Sequence, residues 1–251
     1  MYLPLQNKVA LITGGSRGIG RATALKLASV GCDIAIVYYN GSDEAAQTAI
    51  AVEQMGRKAI VIQANVADPQ SIREMFKQFQ RFSSELHFLI SNAASGVLKP
   101  ALEMSTKHWR WCMETNALAL NYLAIHGHPL MPKNTRIIAM SSLGAQKAIP
   151  NYAFIGASKA ALEALVRSLS LELAVHGVTV NAISAGVVDT DALKYFPNRT
   201  QLLEQYKERC LSEESLTPEH VANAIYLLCL PEASMINGQT IFVDAGYNTV
   251  G

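Results

Sequence analysis

The sequence has little of most things that mark a specialised chain. Cysteine is rare: four among 251 residues, at positions 32, 112, 210 and 229. None stands at CxxC spacing from another, so neither a zinc site nor a disulfide framework is expected, and no metal is assigned. The four read as buried thiols in a reducing compartment. Charge is scarce as well. Only 16% of residues are charged, and 21 basic against 20 acidic side chains leave a net +1. No block of five or more like charges occurs, so the chain carries no electrostatic signature for nucleic acid or an anionic membrane. No stretch approaches the roughly 20 apolar residues that a membrane helix needs. Residues 1–8 lack the basic start and apolar run of a secretory signal, and a cytoplasmic location is the expectation.

What the chain does have is apolar material. Half of it is hydrophobic, which is ample for a packed core and excludes disorder as the main state. A chain of 251 residues is read as one α/β domain spanning 1–251. Short apolar runs at 9–13, 34–38, 59–64, 88–91, 136–141, 179–183 and 240–243 alternate with amphipathic stretches at 18–30, 43–55, 70–82, 105–126, 151–175 and 218–229. That alternation is the signature of βαβ units and of a parallel sheet covered on both faces. Residues 187–214 break the pattern. They follow the end of a strand, where ligands bind in open parallel sheets, and are read as a substrate lid.

Thr13-Gly14-Gly15-Ser16-Arg17-Gly18-Ile19-Gly20 follows the first strand and opens the first helix. Glycines there permit a tight turn and a close approach of backbone to a pyrophosphate, while the helix N-terminus offers unpaired N–H groups and a positive dipole end. The expected architecture is therefore a single Rossmann-type, doubly wound parallel sheet of about seven strands with helices on both faces. The second strand ends in Val37-Tyr38-Tyr39-Asn40 without the carboxylate that would hold the 2′-hydroxyl of NAD. Asp33 lies at the wrong end of that strand. Arg17, inside the glycine loop, suits a 2′-phosphate, so NADPH is expected ahead of NADH.

Taken with Asn92-Ala93-Ala94, Asn116, Ser141-Ser142, Gly238-Gln239-Thr240 and Val243-Asp244-Ala245-Gly246, this pattern resembles the short-chain dehydrogenase/reductase family along the whole chain. The family's usual active site is Tyr-x3-Lys. Here the lysine is Lys159, and Ile155 fills the tyrosine position. Tyr152 stands seven residues before the lysine, on nearly the same helix face and about 10 Å away. That spacing, the run from Ser142 to Tyr152, and the stretches 91–98 and 189–199 resemble the enoyl-acyl carrier protein reductases, closest to the NADPH-dependent type III branch.

The resemblance implies NADPH-dependent reduction of a trans-2-enoyl thioester carried on acyl carrier protein or coenzyme A, as in fatty-acid elongation, by a homotetramer. It implies Tyr152, Lys159 and Ser142 as catalytic residues. Cofactor contacts would come from Gly14, Ser16, Arg17, Gly18, Ile19, Gly20, Tyr39, Asn65, Val66, Asn92, Ala93, Lys159, Gly186 and Val188. Substrate contacts would come from Ala94, Ser95, Leu193 and Phe196, with Val187, Ala192 and Tyr195 beside them in an apolar slot. A carbonyl or 3-ketoacyl reductase, or a specialised reductase of secondary metabolism, is the alternative; a nucleotide-binding protein without catalysis is the second. Ala245 replaces a common glycine with no consequence assigned. Trp109 and Trp111 are read as one core and one interfacial residue, and Asn116 as holding a water chain or a helix bend near the lysine.

Overall fold

A strand that must bury both of its faces finds that environment only inside a covered sheet, and the short apolar runs all end there. The computed structural model describes residues 3–188, 190 and 199–249. Its strands are β1 (Val9–Thr13), β2 (Asp33–Tyr38), β3 (Ala59–Gln63), β4 (Phe88–Ser91), β5 (Thr135–Ser142), β6 (Val178–Ala185) and β7 (Thr240–Val243). They form one parallel sheet in the order β3-β2-β1-β4-β5-β6-β7, with the doubly wound reversal between β1 and β4. Each strand lies within two residues of its sequence-based bounds.

The two-residue period of the strands sorts their side chains into two cores. Val9 and Leu11 of β1, Leu89 of β4, and Ile137 and Ala139 of β5 enter one layer. Ala10, Ile12, Phe88, Ile90, Ile138 and Met140 enter the other. The first layer is closed by α3 (Pro69–Phe82), α5 (Ala119–Gly127) and α6 (Ala153–Leu173); the second by α1 (Gly18–Ser29), α2 (Ser42–Gln54) and α8 (Pro218–Cys229). The sequence signals behind these helices are ordinary ones. In α3, Asp68 caps the Gln70 N–H, Pro69 opens the first turn, and Ile72, Met75, Phe76 and Phe79 make the buried stripe.

Four expectations are corrected. The single helix expected over 105–126 is interrupted: α4 (Thr106–Met113) passes through a π-helical turn at Glu114–Leu118 before α5. Such a turn spends one extra residue per loop of helix, and here it turns Asn116 inward. Neither tryptophan is core. Trp109 and Trp111 are 41% and 43% exposed, and Trp109 meets Phe154 edge-on with ring centroids 5.2 Å apart. Of the four thiols, Cys32, Cys112 and Cys229 are buried but Cys210 is only half-buried. The stretch read as a lid contains a helix that its pattern did not announce, α7 (Arg199–Arg209). Among the described residues, no helix is long and apolar enough to cross a membrane.

Ala245 also has a consequence after all. Its φ is +53°, the left-handed region, and its carbonyl accepts from the Leu211 N–H at 2.9 Å. A β-carbon costs about 1–2 kcal/mol in that conformation, against about 0.5–1 kcal/mol for the extra freedom of an unfolded glycine. Ala245→Gly is expected to raise the melting temperature, followed by circular dichroism, by about 1–4 °C. A lower melting temperature would show that this turn is not strained.

Candidate active site

The carboxyl ends of β1, β2, β4, β5 and β6 converge on one edge of the sheet, and the residues singled out from the sequence stand there. β1 passes into α1 through a loop that only glycine can follow at two points. Gly14 and Gly18 have φ of +66° and +53°. Gly20 has no room for a side chain: a β-carbon would overlap the Gly14 carbonyl and lie 2.7 Å from Asn92 Nδ2. Arg17 is the N-cap of α1, and its side chain makes no capping bond to the first-turn N–H groups. An uncapped helix start behind a glycine turn fits the pyrophosphate of a dinucleotide.

Around this loop, the predicted contacts divide into exposed and structural ones. Arg17 is exposed, and Tyr39 is 59% exposed. Asp33 at the start of β2 is held by Arg57, whose Nη2 and Nε lie 2.7 and 2.9 Å from Oδ1. Asn65 spends its Oδ1 on the Ala67 N–H at 3.0 Å, leaving Nδ2 as the side-chain donor toward a ligand. Val66 is buried beside it. Ser16 is also buried, its carbonyl accepting from Thr48 Oγ1 at 3.2 Å. Asn92 and Ala93 are bound to the loop itself. Their N–H groups both donate to Thr13 Oγ1 at 3.0 Å, and Asn92 Nδ2 donates to the carbonyls of Thr13 and Gly14 at 2.9 and 3.1 Å.

The second half of the site lies where β5 turns into α6. Tyr152 is the N-cap of α6, and its hydroxyl donates to Ser142 Oγ at 3.2 Å. Ser142 Oγ also accepts the Gly144 N–H at 3.3 Å, so the serine both shapes the turn and holds the phenol. Burial raises the Tyr152 pKa above its ordinary value, although the bond to Ser142 pulls the other way, and the group remains a proton donor at neutral pH. Lys159 sits on the same face of α6, 5% exposed, and its Nζ donates to the Met140 carbonyl at 2.7 Å. Burial lowers its pKa from 10.5 to about 8. Ile155 projects onto Gly96, where any β-carbon would overlap it. No hydroxyl occupies the family's usual position.

Two further side chains brace this arrangement. Glu163, one helical turn beyond Lys159, is buried; it accepts from Ser141 Oγ at 2.6 Å and Gln146 Nε2 at 3.4 Å. Asn116 places its carboxamide against the β4–α4 loop. Oδ1 accepts the Ser95 N–H at 2.9 Å, while Nδ2 donates to the Ser95 carbonyl at 2.8 Å and Ser158 Oγ at 2.9 Å. The π-helical turn therefore fixes the backbone of Ser95 and ties it to the neighbour of Lys159. Asn116 stands on the bend of that helix, as one of its two readings expected. Ala94, next to Ser95, is exposed.

At the end of β6, Gly186 pairs its N–H with the Val243 carbonyl at 3.0 Å and Val188 is buried. The ring of Tyr206 from α7 lies over Gly186. Between α7 and residues 212–216 is a cavity of about 260 Å³ that reaches Val187. Leu193 and Phe196, with Asp189, Asp191, Ala192 and Tyr195, lie outside the described residues. Among the described residues, no group of three or more His, Cys, Asp or Glu side chains is placed to hold a metal.

The family model described as enoyl-(acyl carrier protein) reductase matches residues 14–248. The chain belongs to the short-chain dehydrogenase/reductase family. It is 33% identical over 247 residues to the 1-cyclohexenylcarbonyl-CoA reductase of Streptomyces collinus, covering 98% of this chain and 88% of that protein. It is 32% identical to a hydroxynaphthalene reductase of Aspergillus fumigatus, over 95% of this chain and 91% of that one. Among solved structures, a short-chain dehydrogenase from Burkholderia cenocepacia in complex with NADP superposes with a TM-score of 0.90 at 29% identity, over 98% of this chain and 99% of the other.

Within this reductase family site, sequence reasoning missed Glu163 and Tyr206. Glu163 left a trace, as an acid on the Lys159 face of a helix otherwise lined by small apolar residues. Tyr206 left none, because α7 shows no clear apolar stripe.

The buried lysine has a consequence for stability. An unfolded lysine titrates near 10.5 and the folded one near 8. Below pH 8 both states are charged, and the folded state bears the full cost of burying the ammonium. Between pH 8 and 10.5 the unfolded state binds more protons, so this group's cost falls as pH rises. Lys159→Met removes the charge and the bond to Met140. It is expected to be about 1–2 kcal/mol more stable than wild type at pH 7, with the difference shrinking by about 1 kcal/mol at pH 9. Denaturant titrations at the two pH values measure this. A variant equally destabilised at both would show that Lys159 carries no burial cost.

Proposed function

We propose that this protein reduces the carbon–carbon double bond of an enoyl thioester with NADPH. The observation that carries the reading is the pairing of Tyr152 with Lys159 on one face of α6, while Ile155 leaves the usual position without a proton donor. The matches to the enoyl-(acyl carrier protein) reductase model and to a reductase of an unsaturated acyl-CoA support it. The NADP held by the Burkholderia relative supports the choice of nucleotide.

When bound, NADPH supplies the hydride that adds to the β-carbon of the enoyl group. The glycine loop and the start of α1 would hold its pyrophosphate, Arg17 its 2′-phosphate, and Lys159 the hydroxyls of its nicotinamide ribose. Gly186 and Val188 would meet the nicotinamide. The chain's contribution to the chemistry lies in Tyr152. As charge develops on the thioester oxygen, the phenol donates a hydrogen bond there, and the nearby ammonium of Lys159 further favours the charge; a proton from Tyr152 or from water then reaches the α-carbon and completes the reduction. Ser142 holds the phenol by accepting a hydrogen bond from its hydroxyl. Ala94, Ser95, Leu193 and Phe196 would contact the acyl group. The thioester is carried by coenzyme A or acyl carrier protein. A homotetramer is the proposed assembly, supported by the exposed apolar side chains Trp111, Leu118, Ile125, Leu171 and Val175 on the α4–α6 side.

Carbonyl reduction is the second reading, favoured by the likeness to a hydroxynaphthalene reductase. One assay separates the two: NADPH oxidation in the presence of crotonyl-CoA, cyclohexenylcarbonyl-CoA, longer trans-2-enoyl thioesters, or a 3-ketoacyl thioester. Turnover is expected on the enoyl substrates. Tyr152→Phe should lower kcat by about 10²- to 10³-fold, as for the loss of one donor to a developing oxyanion, with KM little changed. Turnover on the ketone alone would overturn the enoyl reading. Arg17→Ala should raise the KM for NADPH by about tenfold and leave that for NADH unchanged, since a bond to a charged group contributes about 1.5–3 kcal/mol. Equal effects on both nucleotides would remove Arg17 from the 2′-phosphate.

A further inference from the structure

Gly186 and Val188 are expected to carry the nicotinamide end of the cofactor, and among the described residues one backbone bond joins them to the sheet, Gly186 N–H to the Val243 carbonyl at 3.0 Å. Tyr206 of α7 lies against Gly186 from above. Tyr206 of α7 is 4% exposed, and its hydroxyl donates to the Asp244 carbonyl at 2.7 Å. Its ring stacks on Tyr247 with centroids 4.9 Å apart and 27° between planes. The ring fills the space that Gly186 leaves by lacking a side chain. A β-carbon on Gly186 would fall on the Tyr206 hydroxyl and within 2.8 Å of two ring carbons. Burial keeps the phenol protonated, so it stays a donor.

The turn that receives this hydroxyl is itself fixed. Asp244 Oδ1 and Oδ2 accept the N–H groups of Gly246 and Asn248 at 3.0 and 2.9 Å. The Leu211 N–H, just beyond α7, donates to the Ala245 carbonyl at 2.9 Å. Lys147, in the turn between β5 and α6, donates to the Asn248 carbonyl at 3.3 Å. One C-terminal turn thus joins α7 to the catalytic turn, with Tyr206 at the centre.

We propose that Tyr206 is a positioning residue for the nicotinamide half of the cofactor site: its ring sets the height of the Gly186–Val188 shelf and its hydroxyl latches α7 to the C-terminal turn. This rests on the reading of Gly186 and Val188 as cofactor contacts, and not on which double bond is reduced.

The test compares two ligands by calorimetry without substrate. NADPH spans the whole site, whereas adenosine 2′,5′-bisphosphate reaches only the half over β1 and β2. Tyr206→Phe removes the latch and keeps the ring. It should weaken NADPH about 3- to 10-fold, the loss of one buried hydrogen bond, and leave the bisphosphate unchanged. Tyr247→Leu, which removes the stack, should act in the same direction. Gly186→Ala should weaken NADPH strongly in the wild type and less in a Tyr206→Leu background, where the ring no longer occupies the space. Unchanged NADPH affinity, an equal loss for both ligands, or additive effects of Gly186→Ala and Tyr206→Leu would each overturn the proposal. Intact NADPH binding without turnover of enoyl thioesters would count against the enoyl reading and leave the role of Tyr206 standing.

Discussion

The hydroxyl of Thr13 and the carboxamide of Asn92 tie together the two loops that leave β1 and β4 just beyond the end of their shared ladder. In a doubly wound sheet the order in which strands are added reverses between β1 and β4, and the helices that follow those strands leave toward opposite faces. The crevice this creates is where the loops must stay registered. Thr13 Oγ1 accepts two N–H groups from the β4 side, and Asn92 Nδ2 returns two bonds to the β1 side. Much of the glycine loop follows from that staple. Gly14 and Gly20 both lie so close to Asn92 Nδ2 that a β-carbon would come within 3 Å of it. The loop is rich in glycine partly because it must lie against its own brace, as well as to admit a pyrophosphate.

A second constraint governs the turn from β5 into α6. A lysine ammonium in a nearly dry setting needs its donors used, and Lys159 uses one on the Met140 carbonyl of the strand beside it. The residues around it are braced in turn. Glu163 grips Ser141 and Gln146 on the far side of Lys159, and Asn116 grips Ser95 and Ser158 on the near side. The phenol of Tyr152 is thus held between two rigid elements, β5 and α6, which suits a donor that must meet developing charge with little reorganisation. The π-helical turn that carries Asn116 interrupts what would be a regular helix, a local departure that serves the loop opposite.

Much of the fold was legible because apolar runs too short for helices alternate with longer amphipathic stretches. The strands of the central sheet are apolar on both faces, and α3 places Ile72, Met75, Phe76 and Phe79 in a plain helical stripe. The glycine loop, Lys159 and the displaced Tyr152 were legible for a different reason: each sits at a fixed distance along one element, so linear spacing translates directly into geometry. The tryptophans misled because helix periodicity says only that they face different ways, not that either way is covered. The break at Glu114–Leu118 misled because a π-turn changes the phase of a helix without changing its composition.

The sequence by itself determined the class of fold, the nucleotide loop, and the tyrosine and lysine that α6 carries, because each is set by short-range spacing on one element. Only the tertiary structure decided what those residues touch. Asp33 is bound to Arg57, Asn92 is committed to bracing a loop, and Ser142 serves a turn as well as a phenol. Tyr206 lies over Gly186 although 20 positions separate them in the chain. These contacts join residues on different elements, and nothing in local propensity or periodicity encodes a distance between elements. That distance comes from how the sheet twists and how tightly the layers pack, which is a property of the whole chain folded at once.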